Sequence, residues 1–193
     1  MISAIVLAAG QSTRMGEYKM LLPWGQTSVL GHVVATILEA GVNDVYAVTG
    51  GHQIELKEAL KEYKINYLYN QDFENGEMLT SVQVGLSGLG DECDAALIVL
   101  GDQPQIESRV VREIVERNVS THHKIIVPSY KMHRGHPWLI EKLFWKDILN
   151  LLPPQSLRNF LNMHYEVIDY LNVETPSVLQ DLDTKNDYSH YKP

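Results

Sequence analysis

Short apolar runs alternate with amphipathic segments along this chain, and that alternation limits what it can fold into. The runs Ala4–Leu7, Val45–Val48, Ile65–Tyr69, Ala95–Leu100 and Lys124–Val127 have strand length. Between the first two, Val29, Leu30, Val33, Val34, Ile37 and Leu38 recur with helical spacing, between a capping Ser28 and a terminating Gly41. Gln53–Tyr63 reads as a second helix, with Leu56, Leu60 and Tyr63 on one face. Leu79, Val82 and Leu86 mark a third, and Val110, Val111, Ile114 and Val115 a fourth. Strands alternating with helices predict an α/β fold with a mainly parallel central sheet, covered on both faces.

The pattern changes after residue 130. Arg134–Ile140 and Tyr165–Val173 are expected to be strands. Leu143–Leu152 and Ser156–Met163 read as helices separated by Pro153-Pro154, and the tail from Lys185 is polar and aromatic. With 193 residues and 45% hydrophobic content, one domain over 1–193 is expected, burying ~70% of its unfolded surface. A formal charge of −8 disfavours nonspecific nucleic-acid and anionic-membrane binding, so an anionic substrate needs a local basic pocket. The lone Cys93 excludes an internal disulfide and suits a reducing compartment. The opening apolar run lacks a basic lead and is too short for a signal peptide or membrane span. A soluble cytoplasmic protein is expected.

Ligands of open α/β sheets bind beyond the carboxyl ends of the strands. The loops after Leu7, Tyr69 and Leu100 should therefore meet in one site. The first runs Ala8-Ala9-Gly10-Gln11-Ser12-Thr13-Arg14-Met15-Gly16, with Lys19 close behind. Backbone N–H groups opening from a buried strand, with Arg14 and Lys19 beside them, suit a polyphosphate. The segment is neither a P-loop nor a dinucleotide fingerprint. Asn70 follows the Ile65–Tyr69 strand. Gly76 lets backbone approach a base closely and Ser81 can read a base edge or ribose, unless the segment is only a turn and helix cap. Gly101-Asp102-Gln103-Pro104 ends the most apolar strand. A carboxylate there suits Mg²⁺ held against phosphates; the alternative is that Asp102 merely caps the next helix. His122, His123, His133 and His136 match no zinc spacing.

Leu7-Ala8-Ala9-Gly10-x-Ser12-x-Arg14-Met15-Gly16 and Lys19-x-Leu21-Leu22-Pro23 resemble the signature of the MobA-like nucleotidyltransferase superfamily, within it the molybdenum cofactor cytidylyltransferase (MocA-like) group. Gly76-x-x-x-x-Ser81-Val82-x-x-Gly85-Leu86, Gly101-Asp102-Gln103-Pro104, Gly135-His136-Pro137 and Asp181-Leu182-Asp183-Thr184 are similar to its later motifs. The resemblance implies a Rossmann-like three-layer α/β/α sandwich of the nucleotide-diphospho-sugar transferase type. It implies a nucleotide-binding part over about 1–120 and an acceptor-binding part over about 121–193. Leu7, Ala8, Ala9, Gly10, Ser12, Arg14, Lys19, Asn70, Gly76, Ser81 and Gly101 would bind the nucleotide. Arg14, Lys19 and Asp102 would be catalytic, and Asp102 with Asp183 would hold Mg²⁺. Arg134, Gly135, His136 and Trp138 would meet the acceptor, Trp138 by stacking on a pterin unless it is core.

The implied reaction moves CMP from CTP to molybdenum-loaded molybdopterin, giving molybdopterin cytosine dinucleotide and pyrophosphate. A molybdoenzyme receiving the cofactor is the implied partner. Relatives using GTP tend to carry Gly where Ala9 stands, and a methyl there favours a pyrimidine. The competing readings are transfer to a sugar phosphate or another small phosphate, guanylyl transfer to molybdopterin, and a nucleotide-binding cofactor chaperone without turnover.

Overall fold

Strand β1 (Ile2–Ala8) runs up the middle of an eight-stranded sheet. The computed structural model describes residues 1–12, 15–75, 77–121 and 124–193. After β1 come a 3₁₀ turn at Lys19–Leu21, a small hairpin of β2 (Pro23–Trp24) and β3 (Thr27–Ser28), and helix α1 (Val29–Glu39). The Ser28 side chain accepts the Gly31 N–H, as its place before the apolar repeat predicts. Then follow β4 (Asp44–Thr49), α2 (Gln53–Ala59), β5 (Asn66–Tyr69), α3 (Met78–Ser87), β6 (Ala95–Leu100) and α4 (Ser108–Thr121).

The strand order is β10-β7-β9-β6-β1-β4-β5, with β7 (Ile125–Tyr130), β9 (Trp138–Glu141) and β10 (Ile168–Asn172) completing it. β1 pairs in parallel with both β4 and β6, and β4 with β5. Only β9 breaks the parallel run within this order; it is antiparallel to both β6 and β7.

Side-chain alternation sets the three layers. On β1, Ala4, Val6 and Ala8 face the same core as α1, α2 and α4, joined by Leu30, Val34, Leu56, Val111 and Ile114. Ile5 and Leu7 face the opposite core with α3 and, from the second half, α5 (Trp145–Leu149) and α6 (Leu157–Met163). β6 repeats the division, Leu97 and Val99 against Ile98 and Leu100. Two helical layers therefore flank one sheet. Among the described residues no helix is long and apolar enough to cross a membrane.

The second half departs from the sequence pattern in two places. Arg134–Ile140 is not one strand. His133–Arg134 (β8) pairs with β7, and the ladder resumes only at Trp138 in β9. Pro137 has no N–H to give a ladder. The Gly135 N–H instead goes to Pro128 O (2.8 Å) and the His136 N–H to Val178 O (2.9 Å). The tail forms helix α7 (Lys185–Tyr191), started by a capping box between Thr184 and Asp187. Tyr188 from α7 packs beside Trp24 of the hairpin, and its hydroxyl donates to Pro23 O at 2.6 Å.

A lysine between carboxylates at the strand ends

The parallel strands β1, β5 and β6 deliver their last residues to one edge, and a cavity of about 340 Å³ opens there. Leu7, Ala9 and Gly10 from the first loop, Lys19 and Met20 from the 3₁₀ turn, Ser81 from α3, and Asp102 line it. A Cβ on Gly10 would meet nothing within 4 Å, so that stretch of backbone lies open to a ligand. Gly101 is different. Its N–H donates to Leu7 O at 3.0 Å, and a Cβ there would sit 2.7 Å from the same oxygen. The glycine lets β6 leave the sheet hard against β1, which places Asp102 at the cavity.

Lys19 is only 9% exposed. A buried ammonium needs partners, and it has two carboxylates: Asp102 Oδ2 at 2.5 Å and Asp183 Oδ1 at 3.5 Å. The Lys19 backbone N–H donates to Ser12 Oγ at 3.1 Å, with Ser12 in the left-handed region at φ 54°. The loop thus ties itself to the lysine. Asp102 caps no helix, since α4 begins only at Ser108.

The other nucleotide-side residues stand just behind this surface. Asn70 is 2% exposed; its amide donates to Ser81 Oγ (3.0 Å) and Thr80 Oγ1 (3.2 Å), and its Oδ1 accepts the Asp72 N–H. It positions Ser81 rather than lining the cavity. Ala8 is fully buried, with its carbonyl taken by the Tyr18 hydroxyl at 2.6 Å. Arg14, Gly76, His122 and His123 lie outside the described residues.

Phe73, Glu77 and Met78, which sequence reasoning gave no site role, line the cavity, and so does Asp181, which it quoted in the late motif without a role. The signal for Asp181 was its spacing from Asp183, since alternate residues of an extended chain share a face. Gln103 donates its side-chain amide to Asp181 Oδ1. Burial, and the neighbouring Asp102 and Asp183, push the Asp181 carboxyl above its ordinary pKa. The Leu182 N–H donates to Asp102 O at 3.0 Å, and the fully buried Leu182 packs with Trp24 and Val29. The C-terminal arm is thereby fastened across the strand ends.

A second cavity, of about 620 Å³, shares Glu77 and Met78 with the first. Arg134, His136 and Trp138 line it. Gly135 does not; a Cβ there would be 2.5 Å from Val178 O, so it packs inward. Trp138 is 8% exposed, donates its Nε1–H to Gly135 O at 2.7 Å, and is stacked by His136 at 4.4 Å between ring centroids. One face of the indole is therefore already covered.

Burial holds the His136 imidazole down to about pKa 4, and its buried Nε2 has no hydrogen-bond partner among the described residues. A histidine with a lowered folded pKa contributes stability that is present above the unfolded pKa and lost as pH falls toward the folded one. Stability should fall from pH 6.5 toward 4, and His136→Phe, which preserves the ring stack, should flatten that slope. Urea melts of both proteins at pH 6.5, 5.5 and 5 check this; parallel slopes would mean that His136 is not sealed in solution.

Among the described residues no group of three or more His, Cys, Asp and Glu side chains is arranged to hold a metal ion. A two-carboxylate site completed by a ligand's own oxygens is the remaining possibility for a hard cation.

Residues 4–168 match the model of the MobA-like NTP transferase domain. The molybdenum cofactor cytidylyltransferase of Escherichia coli K12 is 29% identical over 191 residues, covering 97% of this chain and 93% of that protein. The crystal structure of Rv0371c from Mycobacterium tuberculosis H37Rv superposes with a TM-score of 0.84 at 26% identity, covering 98% of this chain and 95% of that one. A nucleotidyl transferase from Methanothermobacter shares the fold, with a TM-score of 0.84 at 24% identity over 100% of this chain and 96% of its own.

Proposed function

Because this chain belongs to the MobA-like NTP transferase family and is a nucleotidyltransferase, we propose that it moves CMP from CTP to the phosphate of molybdenum-loaded molybdopterin. The products are molybdopterin cytosine dinucleotide and pyrophosphate. The observation that carries the reading is Lys19 held between Asp102 and Asp183 at the end of the open Ala9–Gly10 backbone, with a second cavity adjoining. The full-length likeness to a cytidylyltransferase supports the choice of CTP. So does the Ala9 methyl on the cavity wall, which narrows the space beside a base.

The chemistry asks little of a general base. A phosphate monoester has its second pKa near ~6 and is largely ionised at neutral pH. Alignment and charge neutralisation do the rest. The Ala9–Gly10 backbone and Arg14 take the β- and γ-phosphates, Lys19 meets the α-phosphate, and Ser81, steadied by Asn70, meets the base or ribose. Asp102 and Asp183 are hard oxygen donors that fit Mg²⁺, which commonly uses one or two carboxylates plus substrate phosphates. Bound there, Mg²⁺ would neutralise phosphate charge.

Pyrophosphate release, assayed with each of the four nucleoside triphosphates with and without molybdenum-loaded molybdopterin, tests the reading. Turnover is expected only with CTP and the acceptor together. CTP with Mg²⁺ should also raise the melting temperature more than GTP does, reflecting ~2.7 kcal/mol at a hundredfold excess over Kd. A larger shift and faster turnover with GTP would move the assignment to guanylyl transfer. Binding without turnover under any acceptor would make the protein a cofactor chaperone.

A further inference from the structure

The second cavity carries more charge than a simple phosphate acceptor requires. In a chain with 24 acidic against 16 basic residues, it gathers two guanidinium groups against one carboxylate, that of Glu77. Arg134 comes from β8 and Arg158 from α6. Neither has a carboxylate partner among the described residues, and both are exposed. Arg134 is also held in place. Its Nε donates to the Tyr170 hydroxyl at 2.9 Å, its Nη1 to Asn162 Oδ1 at 3.3 Å, and its guanidinium carbon lies 5.6 Å from the centre of the Tyr170 ring. A guanidinium has five N–H donors, so most of this fixed fork remains available to an anion. The same lining offers apolar surface from Met78, Leu157 and Leu161, beside the polar Ser156 and Asn162.

The reacting phosphate of the acceptor belongs near Lys19 and Asp102 in the first cavity. Arg134 and Arg158 line the other cavity, so they serve a different group. We propose that Arg134 and Arg158 together clamp a second anionic group of the acceptor, at the end remote from its reacting phosphate. The preferred acceptor is then a two-headed anion with an apolar body lying along Met78, Leu157 and Leu161. A sugar phosphate offers only neutral hydroxyls to the clamp, whereas a pterin loaded with oxo-molybdenum at its dithiolene offers an oxyanion. The inference rests on the reading of the first cavity as the nucleotide site.

The test needs no molybdopterin. Alkyl phosphonates and ω-sulfoalkyl phosphonates of matched chain length are titrated calorimetrically into the protein carrying a non-hydrolysable CTP analogue and Mg²⁺. At the best length the added sulfonate should tighten binding about tenfold, the scale of one charge-assisted contact. Arg158→Ala and Arg134→Ala should each abolish that gain while leaving affinity for the plain alkyl phosphonate and the CTP analogue unchanged. Arg158→Lys should restore part of it. Arg158 makes no side-chain hydrogen bond among the described residues, so its removal is a clean probe. Equal affinity for the two probes at every length, or a gain that survives both alanine variants, would overturn the clamp. The cytidylyl reading fails by another measurement, the nucleotide and acceptor dependence of pyrophosphate release.

Discussion

Asp102→Ala should lower turnover by at least ~10²–10³-fold, the scale on which one preorganised charge contact at a reacting centre acts. Three features put the effect there. Asp102 stands at the carboxyl end of β6, where the parallel sheet gathers its ligand loops. It lines the first cavity with its side chain 19% exposed and its carboxylate 2.5 Å from Lys19. Its backbone carbonyl also anchors the arm that brings Asp183, so a side-chain change leaves that hydrogen bond intact. The cost to the fold should be small, because two charge effects oppose each other. Lys19 loses its nearer partner, while Asp181 loses the carboxylate that raises its pKa. Asp183→Ala should cost less than Asp102→Ala, since that side chain is half exposed and its oxygen is 3.5 Å from the ammonium. Pyrophosphate release at saturating CTP, with thermal melts as the control for folding, decides the matter. An Asp102 variant that turns over at near the normal rate would place the metal-binding carboxylate elsewhere.

The centre of the sheet was legible because β1 and β6 are buried on both faces. Six consecutive apolar residues at Ala95–Leu100, too few for a typical helix and ended by Gly101, suit a central strand, and the helices between strands repeat at 3.6 residues. Legibility ends where backbone groups bond outside the ladder. At Gly135–Pro137 the chain meets the 3₁₀ turn Pro176–Leu179, forty residues away, and no local pattern announces such a partner. Helix α7 was hidden for another reason: it is short and shows no apolar stripe. Its Thr184-x-x-Asp187 box was visible, yet its docking depends on Trp24 at the other end of the sequence.

The same division holds for the site. Leu7, Ala9, Gly10, Lys19, Ser81 and Asp102 could be picked out because strand ends and glycine turns mark where ligand loops lie, and all six line one cavity. Asn70 and Gly101 were found as site residues but act from behind, through Ser81 and Leu7. Asp181 was quoted in its motif but given no role, although its spacing from Asp183 puts both on one face; Arg158 was missed because its place beside Arg134 depends on a late segment folding back over an earlier one.

Lys19→Ala carries the second large expected effect, again ~10²–10³ in turnover, with a milder loss of CTP affinity. The distinction follows from where the ammonium sits. It is buried against Asp102 and Asp183, so it faces the carboxylate end of the cavity, where the proposed reaction would put the α-phosphate. On the proposed reaction Lys19 would meet the charge that develops during transfer, whereas the β- and γ-phosphates would have other partners. Lys19→Arg should not restore activity. With its backbone tied to Ser12 and its compact ammonium set between two carboxylates, the position would have to place a planar fork of different reach off that geometry. The alanine variant also leaves Asp102, Asp181 and Asp183 without the cation between them, so its melting temperature without nucleotide should drop, and added salt should recover part of the loss by screening their repulsion. Single-turnover rates and CTP titrations on the same preparations separate catalysis from binding. If Lys19→Ala loses CTP affinity in proportion to its rate, the lysine is a ground-state phosphate anchor, and the charge developing at the α-phosphorus must be met by another residue.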